Sequence, residues 1–315
     1  MTYDLIIIGG GPAGAAAAVY AARKQLRTLL ITESFGGQSV VSEKIENWIG
    51  TPAISGLDLA ENLKKHVETY AGDILSVAEG ERVKSIKKDL PTDQTGGDIF
   101  TVTAESEKIF SAKTVLVATG SGRRKLDAKN ADVLEHKGLT YCASCDGPMF
   151  SGADVAVVGG GNAAFETAAQ LLAYVKSVTL LNHSDGFKAD PVTVEKVLSN
   201  PKMKAVDNAE MVEIKGDKFV SGLVYKNRKT GEVSELSVTG IFVEIGQIPN
   251  TGFVKDLVEM DPYNRIKIDA RSQKSSVPGI WAAGDCSDIL YHQNNIAAGD
   301  AVKAVEDIYL HLHAK

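Results

Sequence analysis

Short apolar runs alternate with glycine turns and helical stretches along this chain. Leu5 to Ile8 is a β-branched run that predicts a parallel strand buried on both faces. Gly9-Gly-Gly-Pro-Ala-Gly14 follows, and the Ala-rich segment Ala15 to Lys24 predicts a helix. Thr28 to Thr32 predicts a second strand, ending at Glu33. The same succession restarts at Asp154. It runs through strand Val155 to Val158, Gly159-Gly-Gly-Asn-Ala-Ala164, a helix to about Tyr174 and strand Ser177 to Leu181. Between the two units, Ile99 to Ala104 and Lys108 to Phe110 read as strands of a small antiparallel sheet. Asp89 to Asp98 reads as a loop at a hairpin tip. Thr114 to Ala118 is a further apolar strand, closed by Thr119-Gly120. Gly279-Ile-Trp-Ala-Ala-Gly-Asp285 repeats the strand-then-glycine pattern, with a helix from about Asn295 to His311. Domain boundaries are expected near Gly122 and near Ile248-Pro249-Asn250.

At 315 residues the chain is long enough for two domains with well-formed cores. Its 44% hydrophobic and 23% charged content is that of a soluble globular protein. The formal net charge of −6 leaves no basic footprint for nucleic acid. No apolar run approaches membrane-spanning length. The first residues lack the basic region of a secretion signal, and their apolar run is cut short by glycines. Three cysteines do not make a disulfide scaffold, which points to a reducing cytoplasm.

Two of those cysteines stand as Cys142-Ala-Ser-Cys145, followed by Asp146. Such a pair closes a small disulfide or presents a thiolate that attacks another disulfide. A zinc site needs a second ligand pair, whereas the only other cysteine is Cys286 and no histidine cluster is near; no metal is expected.

Gly9-x-Gly11-x-x-Gly14 lies between a predicted strand and helix, the context that gives this motif meaning. Its glycines, with Pro12 and Ala13, let the backbone approach a pyrophosphate at a helix N-terminus. Glu33 has the spacing of an acid that binds ribose hydroxyls. Gly159-x-Gly161-x-x-Ala164, with Asn162 and Ala163 inside it, has the same context. Beyond its second strand stand Asn182, His183 and Ser184, where NADP sites usually place arginine. Asn182 offers a neutral hydrogen-bonding group. Lys188 is the nearby cation for a phosphate, or a solvated surface lysine.

Together these motifs resemble the low-molecular-weight thioredoxin reductases. The likeness runs through Gly9-Gly-Gly-Pro-Ala-Gly, Gly36-Gly-Gln38, Glu46-Asn47, Ala118-Thr-Gly120, Cys142-Ala-Ser-Cys-Asp-Gly147, Gly159-Gly-Gly-Asn-Ala-Ala, Gly246-x-x-Pro-Asn250 and Ala283-Gly-Asp-Cys286. The chain is also similar to the C-terminal part of the alkyl hydroperoxide reductase flavoprotein subunit, through Cys-Asp-Gly-Pro148 and Lys188-Ala-Asp190. That flavoprotein carries a further N-terminal thioredoxin-like region. Because this chain begins at the first glycine-turn strand, a separate dithiol protein is expected to serve instead.

The resemblance implies an α/β fold of two Rossmann-like three-layer nucleotide-binding domains, the second inserted in the first. Residues 1–122 and 249–315 would bind FAD, and 123–248 would bind NAD(P)H and carry the dithiol. Gly37, Gln38, Asn47, Thr119, Gly120, Gly284, Asp285 and Gln293 would join the first glycine turn around FAD. Asp285 would hold the ribityl chain, and Gln293 would lie beside the isoalloxazine. The pattern breaks at Asn182-His183-Ser184, which lacks the family's arginine pair and favours NADH over NADPH. It breaks again at Gln293-Asn294-Asn295, whose polar side chains would lie near the flavin. Cys286 reads as a buried small hydrophobe.

The activity implied is that of a thioredoxin-disulfide reductase, passing electrons from NAD(P)H through FAD and Cys142–Cys145 to a thioredoxin-like or glutaredoxin-like protein. Cys145 would face the flavin, Cys142 would attack the partner, and Asp146 would be the acid/base or a helix N-cap. A homodimer is expected. So is rotation of the inserted domain about hinges near Gly122 and Gly246. Two rivals remain: a ferredoxin-fed reductase with a decayed nicotinamide site, and a non-enzymatic flavin-binding redox sensor.

Overall fold

The computed structural model describes residues 1–89 and 98–314. The hairpin-tip loop expected within Asp89 to Asp98 lies almost wholly outside the described residues. The chain divides into two compact units: 1–122 with 248–315, and 123–247.

The first unit opens with β1 (Thr2–Gly10), α1 (Pro12–Arg23) and β2 (Thr28–Phe35), followed by α2 (Gly56–Glu68) and β3 (Leu75–Glu79). Then come β4 (Val83–Asp89), β5 (Ile99–Ala104) and β6 (Ile109–Val117). The sheet order is β3-β2-β1-β6-β5-β4. Two expected strands, Lys108 to Phe110 and Thr114 to Ala118, are one strand, β6. Its first half pairs antiparallel with β5, and it also pairs parallel with β1. The polar residues Ser111 and Lys113 break its apolar run without breaking the ladder. Helix α1 begins at Pro12, before Ala15. Proline suits a first helical turn, where its missing N–H is no loss.

Residues Ser121–Arg123 form β7, which leads into the second unit. That unit contains β8 (Leu139–Thr140), α3 (Ala143–Asp146), β9 (Asp154–Val158), α4 (Asn162–Leu171), β10 (Ser177–Leu181) and α5 (Pro191–Leu198). It continues with β11 (Met203–Val206), β12 (Ala209–Gly216), β13 (Val220–Asn227), β14 (Val233–Leu236) and β15 (Gly240–Val243). Its parallel sheet has the order β11-β10-β9-β15-β8, and β12-β13-β14 form a separate antiparallel sheet. Phe165, Leu171 and Phe242 pack on one side of the parallel sheet. Ile214, Leu223 and Val238 pack with Ala156, Leu181 and Ile241 on the other.

The exit strand β16 (Gln247–Pro249) pairs with β7, so the two connecting segments form a ribbon. The chain then completes the first unit with β17 (Ile280–Ala282), which pairs with β6, and α6 (Asn294–His313). Leu5 and Ile7 meet the small faces of α1 and α6 (Ala17, Ala21, Ala301, Val305) on one side of the sheet. Ile6, Ile8, Val115 and Val117 pack with Phe100, Val254 and Ile266 on the other. The architecture is α/β with two Rossmann-like folds. Among the described residues, no helix is long and apolar enough to cross a membrane.

Candidate cofactor and dithiol sites

The first glycine turn is forced by backbone crowding. A Cβ on Gly14 would stand 1.7 Å from the carbonyl oxygen of Gly9, and one on Gly9 2.3 Å from that of Ala118. Without these side chains α1 packs directly against the end of β1. Gly11 caps α1 with no side-chain bond, and no acid stands in the first turn. The N–H groups of that turn therefore face outward as an anion site.

Three other expected residues, Gly37, Thr119 and Gly284, border that turn. Gly37 approaches Gly11, its Cβ position lying 3.4 Å from the Gly11 Cα. Gly284, at φ +74°, lies against Ala13 and Ala297. Thr119 Oγ1 donates to the Asn250 carbonyl at 2.7 Å, and the Asn250 N–H donates to the Gly120 carbonyl at 3.0 Å. Asn47 Nδ2 donates to Gln293 Oε1 at 3.1 Å. Asp285 lies 3.3 Å from His292 Nδ1. Gln38 is exposed in the helical turn Gly37–Val41. Glu33 is also exposed, and one carboxylate oxygen pairs with Arg82 at 2.6 Å. This open, glycine-walled cradle with a bare helix N-terminus fits a dinucleotide pyrophosphate.

Asn294 and Asn295 have a task within the protein. Ser39 Oγ donates to Asn294 Oδ1 at 3.0 Å. Asn295 Nδ2 donates to the Asn47 carbonyl at 2.7 Å, and its Oδ1 accepts from the Ile49 N–H at 3.3 Å. They clasp the start of α6 to the segment holding Asn47. Cys286 is fully buried, its thiol within 3.4 Å of the Val117 and Ala283 carbonyls. Burial pushes it up to about 11.

The second turn repeats the geometry. A Cβ on Gly159 would stand 2.3 Å from the Glu244 carbonyl oxygen, and Ala164 packs beneath. Gly161 caps α4 without a side-chain bond and has open space beside it, as a pyrophosphate requires. Ala163 is exposed beside it, while Asn162 Oδ1 accepts from the Asp190 N–H at 2.7 Å.

Asn182 departs from its expected place on a ribose. It is only 4% exposed, and its amide donates to the Ser184 and Gly186 carbonyls and to Asp207. Its oxygen accepts from the Ser184 N–H. The side chain shapes the loop after β10, beneath Gly160. His183 and Lys188 are exposed. The cation that sequence reasoning missed is Arg228, after β13, whose Nη1 donates to the His183 carbonyl at 3.2 Å. Its neighbour Lys229 pairs with Asp185 at 2.8 Å. No local spacing links residue 228 to 183; the antiparallel sheet brings them together.

Glu244 was missed for the same reason. It follows β15, its N–H donating to the Val158 carbonyl at 2.8 Å, and its Oε1 accepts from Thr167 Oγ1 at 2.8 Å. Burial raises its carboxyl to about 7. Thr167 and Arg123 pull against that shift, and Glu166 adds to it.

Cys142 and Cys145 are joined as a disulfide with Cα atoms 5.3 Å apart. Cys142 caps α3, and the Cys145 N–H points at its sulfur at 3.2 Å. Both cysteines are half-buried. Asp146 does not act as a side-chain N-cap. It stands at the end of α3, where its carboxylate accepts from Thr140 Oγ1 and its N–H bonds the Cys142 carbonyl at 3.0 Å. That hydrogen bond holds the carboxylate one helical turn from Cys142.

Two crowded glycine turns at helix N-termini and the Cys142–Cys145 disulfide thus stand on one chain. The chain belongs to the pyridine nucleotide-disulphide oxidoreductase family, whose model matches residues 3–304. It is 39% identical to an NADH dehydrogenase of Bacillus subtilis (strain 168) over 96% of this chain. It is 41% identical to the F component of alkyl hydroperoxide reductase from Escherichia coli (strain K12), again over 96% of this chain. It spans 57% of the length of each of those proteins. Among solved structures it is similar to thioredoxin reductase from Streptococcus pyogenes MGAS5005, with a TM-score of 0.89 and 34% identity. That match covers 100% of this chain and 99% of the other. The family implies flavin and nicotinamide cofactors.

Proposed function

We propose that this chain is an FAD-dependent disulfide reductase. It takes electrons from a nicotinamide nucleotide, NADH in preference to NADPH, and delivers them through Cys142–Cys145 to a thioredoxin-like or glutaredoxin-like protein. The observation that carries this reading is the Cys142–Cys145 disulfide, built in the same unit as the second glycine turn. The first turn and the residues expected with it would hold FAD, and Gly159, Gly161, Asn162, Ala163 and Ala164 would hold the nicotinamide nucleotide. The nicotinamide supplies a hydride and the flavin relays the electron pair.

The chain's own residues do the rest. Two electrons and two protons convert the disulfide to thiols. The Cys142 thiolate attacks one sulfur of the partner disulfide, and the partner's other sulfur leaves as a thiolate. Cys145 then attacks the mixed disulfide, restoring Cys142–Cys145 and freeing the second partner thiol. Asp146, held by Thr140, takes the proton that the Cys142 thiol loses and returns it to the departing thiolate. Because one disulfide must serve both flavin and partner, Gly122 and Gly246 act as hinges. Gly246, at φ +102°, has open space around it. A homodimer belongs to the same reading and is checked by light scattering.

The NADH preference is supported by the lack of arginine at positions 182–184 and by the name of the Bacillus subtilis relative. One observation favours NADPH instead: Arg228 beside His183, with Lys188 exposed nearby. Anaerobic stopped-flow bleaching of the flavin with NADH and NADPH in parallel decides between them. Fast bleaching with NADH alone supports the first reading, and fast bleaching with NADPH the second. No bleaching with either, in protein that dithionite still reduces, overturns both and leaves a ferredoxin-fed reductase. In Cys145→Ser, flavin bleaching should persist while disulfide reduction is lost. Retained disulfide reduction would remove the dithiol from the route.

A further inference from the structure

The second unit's parallel sheet changes direction between β9 and β15, since β10 and β11 lie on one side of β9 and β15 and β8 on the other. A dinucleotide crosses such a switch point at the carboxyl ends of the strands. Its pyrophosphate sits at the helix N-terminus, its adenosine half lies over the strand next in sequence, and its other half lies over the opposite neighbour. By that rule the adenosine half would fall beyond β10 and the nicotinamide half beyond β15. Glu244 is the first residue after β15, and its carbonyl closes on the Gly159 turn.

Its side chain is an unusual one to find there. It is half-buried, its Oε1 accepting from Thr167 on α4. The charged groups that face it are Arg123 on β7, which attracts its carboxylate, and Glu166 on α4, which repels it. Its N–H is used by Val158 in the sheet, so the fold positions it from both the strand and the helix.

The nicotinamide ring is a cation when oxidised and neutral when reduced. Resting on the nicotinamide reading above, we propose that Glu244 sets the preference of this site between the two forms. The carboxylate favours the pyridinium, and the carboxylic acid tolerates the neutral dihydropyridine. Binding of the oxidised nucleotide then expels a proton, and by reciprocity a higher pH tightens that binding. Because its carboxyl titrates near 7, this exchange falls in the physiological range. For one charge pair in a partly solvated site, the coupling is about tenfold in affinity.

The test uses the FAD-loaded full chain and calorimetric titration between pH 5.5 and 8.5. The ligands are NAD⁺ and a tetrahydro analogue of NADH that cannot give up hydride, with the NADP⁺ pair alongside. Wild type should bind the oxidised form about tenfold more tightly at the high end, releasing protons, with no such gain for the analogue. Glu244→Gln should flatten the oxidised-form profile. Thr167→Val, which removes a hydrogen bond favouring the carboxylate, should move the wild-type profile to higher pH. A Glu244→Gln profile matching wild type would overturn the inference while leaving the nicotinamide site intact. Failure of every nucleotide to bind would overturn the nicotinamide reading, and this inference with it.

Discussion

Glu244→Gln should make the protein more stable, and increasingly so as pH rises. In the folded chain the Glu244 carboxyl keeps its proton to about 7, against an ordinary value of 4.5. The unfolded chain therefore releases that proton first, and unfolding gains as pH climbs between those values. Stability is fully present below about pH 4.5 and is lost as pH rises through about 7. At 1.36 kcal/mol per tenfold, that gap corresponds to about 3 kcal/mol at most. Water reaching a half-buried carboxylate reduces it to about 2 kcal/mol. Glutamine has nearly the same shape, keeps a partner for Thr167 and never ionises. The assay is the thermal midpoint of wild type and variant without nucleotide, from pH 5 to 8. Taking the difference at each pH cancels titrations common to both. The variant's advantage should already be measurable at pH 5 and grow to about 3 °C at pH 8, from the usual size scaling for a chain of this length. A difference that stays flat to within a degree would show that the carboxyl is solvated in the folded protein and refute the reasoning.

Gly14→Ala should cost about 3 kcal/mol or more, because its Cβ would stand 1.7 Å from the backbone oxygen of Gly9 and neither backbone yields easily. Purified variant should retain little flavin, and full flavin retention would refute that placement. Asn295→Ala removes two hydrogen bonds to the Asn47–Ile49 segment and should cost about 1–2 kcal/mol. Flavin should dissociate about tenfold faster, and an unchanged rate would show that the clasp is not needed. If NADPH is the donor, Arg228→Ala should weaken 2′,5′-ADP binding about tenfold and leave 5′-ADP binding unaltered. Equal losses for both would place Arg228 elsewhere on the nucleotide.

The glycine turns were legible because their chemistry is local. A strand, a crowded turn and a helix lie within one short segment, and the steric demand at Gly14 or Gly159 does not depend on distant parts of the chain. Boundaries were less legible. Ser111 and Lys113 suggested a gap in β6, yet a strand at a sheet junction carries polar residues while its ladder continues. Helix α2 and the β12-β13-β14 sheet passed unassigned, because their half-exposed faces mix charged and apolar residues. At the second site the difficulty was direction. A residue at the end of β10 suggests ribose contact, but Asn182 points inward and commits its amide to its own loop. Arg228 and Glu244 are near the site only through long-range strand pairing, which spacing does not encode.

The ribbon of β7 and β16 has a consequence for the order in which this molecule is made. Strand β17 must join β6, and α6 must cover α1, yet an entire unit is synthesised between those partners. For an unfolded segment, closing so long a loop carries a heavy entropic penalty. A folded insert removes it, since Arg124 and Gly246 are already joined by a 3.2 Å hydrogen bond at its neck. On the ribosome the second unit should therefore fold first, pinching its own ends together. The half-built first sheet meanwhile waits with one edge of β6 open. Destabilising the insert would delay maturation of a sheet to which it contributes no strand.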